Sequence, residues 1–293
     1  MRRFGGAQCQ GVTKSGKQCT ITAASQMRDF AGRLVALPLC CGGSYCMLHA
    51  VFFSTLPAQP RDAIVVAYLD LETSSLDFLS GSIVEIACLI CGTGGVFSTV
   101  VQPCRSLPED PCAVHGISHD ELRQGPSFAT AFERMVRFLD YVSLSVPEET
   151  DTDSDDARSP SRSMTQEVGV TLVAHNGRAF DFPFLASACL RSGVDVSPMS
   201  RWHYVDTLDL LRAADATGCN KLQCAFHRAC AGPSCLRAHR ALDDCVALRH
   251  VVRHVSASFG VAPSELLRQF TFGLDAGPTV AQLSAMIAMS SQS

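Results

Sequence analysis

The β-branched run Ile64 to Ala67 within AIVVAYLDLETSS predicts a buried strand that ends near Thr73. Two further apolar stretches, 82–92 and 95–103, follow after short Gly/Ser turns, so with 63–73 they read as a three-stranded antiparallel meander. Phe128, Phe132, Met135, Val136 and Leu139 then share one face of a helix over 127–142. A strand at 170–174, a helix near 182–192 and a strand near 203–206 come next. Ala241, Leu242, Cys245, Leu248, Val251, Val252 and Val255 recur at helical spacing and predict an amphipathic helix from about 240 to 255. Weaker helical patterning returns over 263–270 and 280–289. The expected fold is α/β, a mixed sheet flanked by helices over 62–255, followed by a tail (256–293) that packs on the core or binds a partner.

Composition narrows the class. The chain has 293 residues, of which 47% are hydrophobic and 18% charged, as expected of a globular protein with a substantial core. No apolar stretch approaches the ~20 residues that span a bilayer. The N-terminal MRRFGGAQCQG lacks the apolar segment of a secretory signal. An intracellular protein, nuclear or cytoplasmic, with no membrane partner is expected.

The net charge of −4 conceals an uneven distribution. Residues 1–50 hold six basic residues against one acid, whereas 146–167 hold seven acids against two arginines. That second stretch, VPEETDTDSDDARSPSRSMTQE, is rich in Ser, Thr and Pro and reads as a disordered acidic insert. Without it, 22 basic residues face 21 acidic ones, so the total does not argue against a nucleic-acid partner.

Fifteen cysteines in a chain without an export signal point to metal ligands or buried thiols, with disulfides not expected. Cys88, Cys91, Cys189 and Cys245 sit in apolar stretches and read as small buried hydrophobes. The spacing of Cys219, Cys224, Cys230 and Cys235 resembles a zinc site, but KLQCAFHRACAG reads as an amphipathic helix instead. The N-terminal cysteines differ. Cys9 and Cys19 are followed, across a Gly-rich stretch, by Cys46-Met-Leu-His49, and a Cys-x2-His pair closing on two earlier cysteines can supply four tetrahedral zinc ligands. Cys40 and Cys41 are alternative ligands. A segment of about 50 residues (1–52) with few aromatics gains from a metal the stability its core lacks.

Three elements carry hard oxygen ligands. Asp70 and Glu72 lie two apart on the first strand and share a face, so their carboxylates repel unless a cation lies between them. In VTLVAHNGRAFDFPFL, Asp181 follows a strand and a turn and sits near a helix start. In CLRAHRALDDCVAL, His239 stands at the start of the last long helix and Asp244 lies five residues on. Asp243 is adjacent to Asp244 and cannot share its face, so it is read as a surface or supporting residue.

Together these residues form Asp-x-Glu, then Asp, then His-x4-Asp. In that order, and with LDLETSSL, CAVHGISHDEL, LVAHNGRAFDFPFL, YVDTLDLLR and HRALDDCVAL around them, the chain resembles the DEDDh 3′–5′ exonucleases from about residue 64 to 255. TLVAHNG-x-x-(Phe/Tyr)-DFP looks most like the three-prime repair exonucleases, while HRALDD also occurs in proofreading and oligoribonuclease-like members. Ser74-Ser75 stands where the family often has Thr-Gly. Separately, residues Cys9, Gly11, Thr13, Lys14, Gly16, Cys19, Tyr45, Cys46 and His49 resemble a small zinc-binding module of viral and bacterial proteins. That likeness favours Cys9, Cys19, Cys46 and His49 as the zinc ligands.

The resemblance implies a ribonuclease H-like fold and hydrolysis from the 3′ end of nucleic acid, DNA being preferred, with release of nucleoside 5′-monophosphates. Two Mg²⁺ or Mn²⁺ ions would be held by Asp70, Glu72, Asp181 and Asp244, with His239 as proton acceptor and the Thr73–Ser74 backbone placing the terminal nucleotide. One structural Zn²⁺ is expected in the N-terminal module, which with the C-terminal tail is a candidate for protein partners. Two rival readings remain: an exoribonuclease of the same fold, and a non-catalytic adaptor. The adaptor would be expected to lack one of the five residues, and all five are present.

Overall fold

The computed structural model describes residues 26–28, 34–36, 39–40, 45–46, 64–103, 115–144, 169–215, 218–230, 236 and 239–273. Two short antiparallel pairs come first, β1 (Gln26–Arg28) with β2 (Leu34–Ala36) and β3 (Leu39–Cys40) with β4 (Tyr45–Cys46). Of the four candidate zinc ligands, Cys9, Cys19 and His49 lie outside the described residues, and for Cys46 only its strand is described. The acidic segment 146–167 and the pattern at 280–289 also lie outside them.

The main sheet opens with β5 (Ile64–Thr73), β6 (Ile83–Ile90) and β7 (Val96–Val100), the predicted meander. Helices α1 (His119–Gln124) and α2 (Phe128–Leu144) lead to β8 (Gly169–Ala174), which runs parallel to β5. After α3 (Asp181–Arg191) and α4 (Ser197–Ser200), β9 (His203–Asp206) lies parallel to β8. Then follow α5 (Thr207–Ala214), α6 (Leu222–Ala229), α7 (Ala241–Phe259), α8 (Pro263–Arg268) and β10 (Phe272–Gly273). The order β10-β9-β8-β5-β6-β7 makes a six-stranded mixed sheet.

The two-residue period of β5 decides which side chains meet which helix. Val65, Ala67, Leu69 and Leu71 enter one core cluster, with Phe132, Met135 and Leu139 of α2 and Phe182, Phe184 and Leu185 of α3. Val66 and Tyr68 enter the opposite cluster, with Ala241, Cys245, Leu248 and Val252 of α7. Each large side chain taken out of water here contributes about 1.5–3 kcal/mol. Continuing the period, Asp70 and Glu72 face the side on which α7 packs. The Cys245 thiol donates to the carbonyls of Tyr68 (3.3 Å) and Ala87 (3.4 Å), seating the first turn of α7 on both strands.

Two features differ from expectation, the length of the last long helix and a disulfide. Of the two expected fates of the segment following that helix, the described part takes packing on the core. The predicted helix does not stop at 255 but runs to Phe259, where Gly260 closes it in the left-handed region (φ 66°). The chain then stays on the domain: Leu266 and Leu267 are buried and Phe272 pairs with Tyr204. A two-residue strand has no period to read, so β10 was invisible in sequence. Lastly, Cys219 and Cys224 form a disulfide, against the expectation that none would be present. KLQCAFHRACAG does contain a helix, α6. Among the described residues no helix is long and apolar enough to cross a membrane.

Candidate active site

Glu72, His239 and Asp244 each offer a ligand atom, all within 4.8 Å of one another. Glu72 and Asp244 are buried and His239 is exposed, so the group opens to solvent on the histidine side. Asp70 is half-buried, one pleat before Glu72, and the sheet register shifts by a bulge between Glu72 and Thr73, bending the strand end there. Asp181 is the first residue of α3, beyond the C-terminal end of β8, and is 3% exposed. Burial raises the Cys245 thiol well above its ordinary range, and the charges of Asp70, Asp181 and Asp244 raise it further. All three carboxylates act electrostatically on the same thiol.

The start of α7 is pinned by two carboxylates. Asp244 Oδ2 accepts from the backbone N–H of His239 (3.1 Å), and Asp244 Oδ1 accepts from the Gln223 side-chain amide (2.8 Å). Burial raises the Asp244 carboxyl above its usual range, and these donors oppose that shift. Glu85, opposite Glu72 across the β5–β6 ladder, accepts both Nη2 (2.9 Å) and Nε (3.2 Å) of Arg240 and the N–H of Ala241 (3.0 Å). Arg240 occupies the N-cap position without a side-chain cap bond, so a glutamate from another strand satisfies the helix start. His239 is thereby held at φ 66°, a conformation that costs on the order of 1 kcal/mol for a residue with a Cβ.

The Asp181 end is built on a turn. Asp206 is buried and accepts three backbone N–H groups, those of Asn176 (2.8 Å), Leu208 (2.9 Å) and Arg178 (3.1 Å). Asn176 is left-handed (φ 58°). Gly177 is obligatory, because a Cβ there would lie 2.7 Å from Phe182 and from Ala174. The Arg178 guanidinium lies over the Phe272 ring, 3.4 Å from its centroid, and its Nε bonds Asp209 at 3.0 Å. β10 thus braces the turn that delivers Asp181.

The sequence-predicted set divides as follows. Glu72, His239 and Asp244 are brought together, while Asp70 and Asp181 lie outside that group and share with Asp244 an electrostatic influence on the Cys245 thiol. Asp243 is half-buried and lies outside the ligand group. The Thr73 hydroxyl donates to the Ser75 carbonyl (2.7 Å) and Ser74 Oγ accepts from Ser82 N–H (2.8 Å), so both close the strand-end loop. Phe78 and Phe180 pack on Phe184 and belong to the core. Glu85, Asp206 and Gln223 were missed. Glu85 did carry a signal, the one charge in the apolar run IVEIACLI, and Asp206 another, an acid directly before a helix.

Crowded, buried carboxylates lose hydration and repel, and a small divalent cation among them relieves both penalties. The donors are carboxylate oxygens with one imidazole, which suits Mg²⁺ or Mn²⁺. The residues fit such ions.

A model of the exonuclease family (RNase_T) matches residues 67–168. The chain is 29% identical over 222 residues to the exonuclease DPD1, chloroplastic/mitochondrial, of Arabidopsis thaliana, covering 72% of this chain and 63% of that protein. It is 30% identical over 138 residues to a DNA polymerase III subunit epsilon-like protein of Rhodobacter capsulatus, covering 45% of this chain and 16% of the relative. The chain therefore spans less than two thirds of the length of either relative. Among solved structures, a 3′-exonuclease described in 3′-end specific recognition of a histone mRNA stem-loop superposes with TM-score 0.51 at 14% identity, over 68% of this chain and 65% of that one. That likeness extends to the ribonuclease H-like fold alone. Over the matched residues the chain is thus similar in sequence to exonucleases.

Proposed function

We propose that this protein is a divalent-metal-dependent 3′–5′ exonuclease that shortens DNA from its 3′ end and releases nucleoside 5′-monophosphates. The observation that carries the reading is the convergence of Glu72, His239 and Asp244 at the strand end that also bears Asp70. Asp70, Glu72, Asp181 and Asp244 would hold two divalent ions, which when bound supply charge neutralisation and polarisation at the scissile phosphate. His239, exposed beside the carboxylates, takes the proton of the attacking water, a role that contributes typically ~10²–10⁴-fold. Its pinned backbone keeps the ring at the mouth of the site, and the bulged Thr73–Ser74 backbone borders the place of the terminal nucleotide. DNA is preferred over RNA because the bacterial relative is named for a DNA polymerase subunit. In the same proposal Cys9, Cys19, Cys46 and His49 hold one structural Zn²⁺.

The test gives the purified chain Mg²⁺ and 3′- or 5′-labelled single-stranded DNA, duplex DNA and RNA, beside Asp244→Ala. The expected result is stepwise shortening of DNA from its 3′ end by the wild type, reduced about 10³-fold in the variant. Equal shortening by the variant, or none by either, overturns the catalytic reading. Preference for RNA would overturn only the substrate class. Zinc content unchanged by Cys46→Ser would remove the metal module.

A further inference from the structure

We propose that Gln223 is a positioning residue for Asp244, and that the Cys219–Cys224 disulfide holds Gln223 in that role. The inference rests on the metal-site reading of Asp244 given above. Asp244 is held on both oxygens, by Gln223 Nε2 on Oδ1 and by the His239 N–H on Oδ2. Two donors at the two oxygens fix the plane of the carboxylate, and so the direction of the lone pairs left for the ligand group. The His239 donor comes from the same helix start as Asp244. Gln223 is the side chain that fixes the plane from another element, 21 residues away in sequence.

Gln223 has little local reason to stay there. It lies in the first turn of α6, an eight-residue helix whose N-cap, Lys221, makes no side-chain cap bond. Helices this short are not stable on their own. The disulfide joins Cys219, before the helix, to Cys224, the residue after Gln223. Arg228 Nη1, one turn on, donates to the Cys219 carbonyl at 2.6 Å. Ala225 and Phe226 are buried against the α7 side of the sheet. The bridge therefore closes the N-terminal end of α6 where a capping side chain is missing, and the residue it brackets is the one that bonds Asp244. Reduction by a dithiol transfers two electrons and two protons to the bridge, giving two thiols and the cyclic disulfide of the reductant. The first turn of α6 then loses its clasp.

The experiment measures Mn²⁺ binding by the full chain, by calorimetry and by loss of the free-ion paramagnetic resonance signal. Wild type, Asp244→Ala, Gln223→Leu and the double variant Cys219→Ser/Cys224→Ser are compared with and without dithiothreitol. Binding lost in Asp244→Ala defines the share belonging to this site. Gln223→Leu keeps the side-chain bulk at a half-buried position and is expected to raise the Mn²⁺ midpoint of that share about tenfold or more, the usual effect of removing an orienting partner. Its thermal midpoint should stay near that of the wild type. Dithiothreitol should move the wild type in the same direction and leave the double variant unmoved, which separates the bridge from the N-terminal cysteines. If Asp244→Ala loses no Mn²⁺, the metal-site reading fails, and this proposal with it. If Asp244→Ala loses binding but Gln223→Leu shifts the midpoint less than about twofold, the positioning role alone fails. A wild type indifferent to dithiothreitol, beside a weakened Gln223→Leu, removes the disulfide from the account.

Discussion

Two groups of buried acids sit within one domain and are treated in opposite ways. Glu85 and Asp206 each receive three donors: a guanidinium fork and an N–H for Glu85, three backbone N–H groups for Asp206. Glu72 and Asp244, also buried, are drawn within 4.8 Å of each other and of His239, although Asp244 also accepts from the His239 N–H and the Gln223 amide. A buried carboxylate surrounded by donors stabilises the elements it joins. Carboxylates drawn toward each other do the reverse until a cation joins them. Glu85 and Asp206 serve the fold, whereas Asp244 both pins the start of α7 and, with Glu72, faces the ligand group, and substitutions should separate the two roles.

The largest separation is expected at Glu72. Glu72→Gln removes one of the mutually repelling charges while keeping its shape, so activity should fall about 10³-fold. The thermal midpoint without metal should hold or rise. Melting curves with and without Mg²⁺, beside the nuclease assay, decide the matter. A variant that melts well below the wild type in the absence of metal would place Glu72 with the structural acids.

Glu85→Gln should behave in the opposite sense. The amide faces Arg240 and the Ala241 N–H with one acceptor and two hydrogens of its own, so a donor is left unmatched. Breaking a fully buried ion pair costs ~3–5 kcal/mol, and the Arg240 side chain, 31% exposed, recovers part of that through water. A loss of about 2–3 kcal/mol in denaturant unfolding is expected. Activity should fall as a consequence, because Arg240 and Ala241 fix the turn that carries His239. Unchanged stability would mean that the helix start is held by Asp244 alone.

Much of this was legible before any coordinates. The period of two in β5 and the helical periods of α2 and α7 place their core faces. Asp70, Glu72, Asp181, His239 and Asp244 stand in recognisable local contexts, a strand end or a helix start. What escaped are partnerships between distant residues. Glu85 and Arg240 are 155 residues apart, Asp206 and Asn176 are 30 apart, and neither local pattern names the other member. Gln223 carries no sequence signal, since a glutamine in the first turn of a short helix is ordinarily solvated. β10 escaped because its role, pairing with β9 and giving Arg178 a ring to lie on, is defined wholly by contacts.

The smallest effect at pH 7, and the one with a distinctive pH signature, belongs to Asp206. Burial pushes its carboxyl up to about 6 from an ordinary 3.8, with Asp209 adding to the rise and the Leu208 and Arg178 N–H groups opposing it. A carboxyl raised on folding binds its proton more tightly in the folded state. Its contribution to stability is therefore full below about pH 4 and is lost as pH climbs from about 4 to about 6. Asp206→Asn cannot titrate, and it turns an NH₂ toward the N–H of either Arg178 or the Asn176–Leu208 pair. At pH 7 the variant should be less stable by about 1–2 kcal/mol. The deficit should widen on acidification, by up to about 3 kcal/mol if the whole shift is realised. Urea unfolding of both proteins at pH 4, 5, 6 and 7 measures the difference directly. A deficit that narrows toward pH 4 would mean that the three N–H donors outweigh burial and hold Asp206 ionised throughout. That outcome would erase any electrostatic distinction between Asp206 and an ordinary capping aspartate, leaving the contrast with Glu72 and Asp244 to geometry alone.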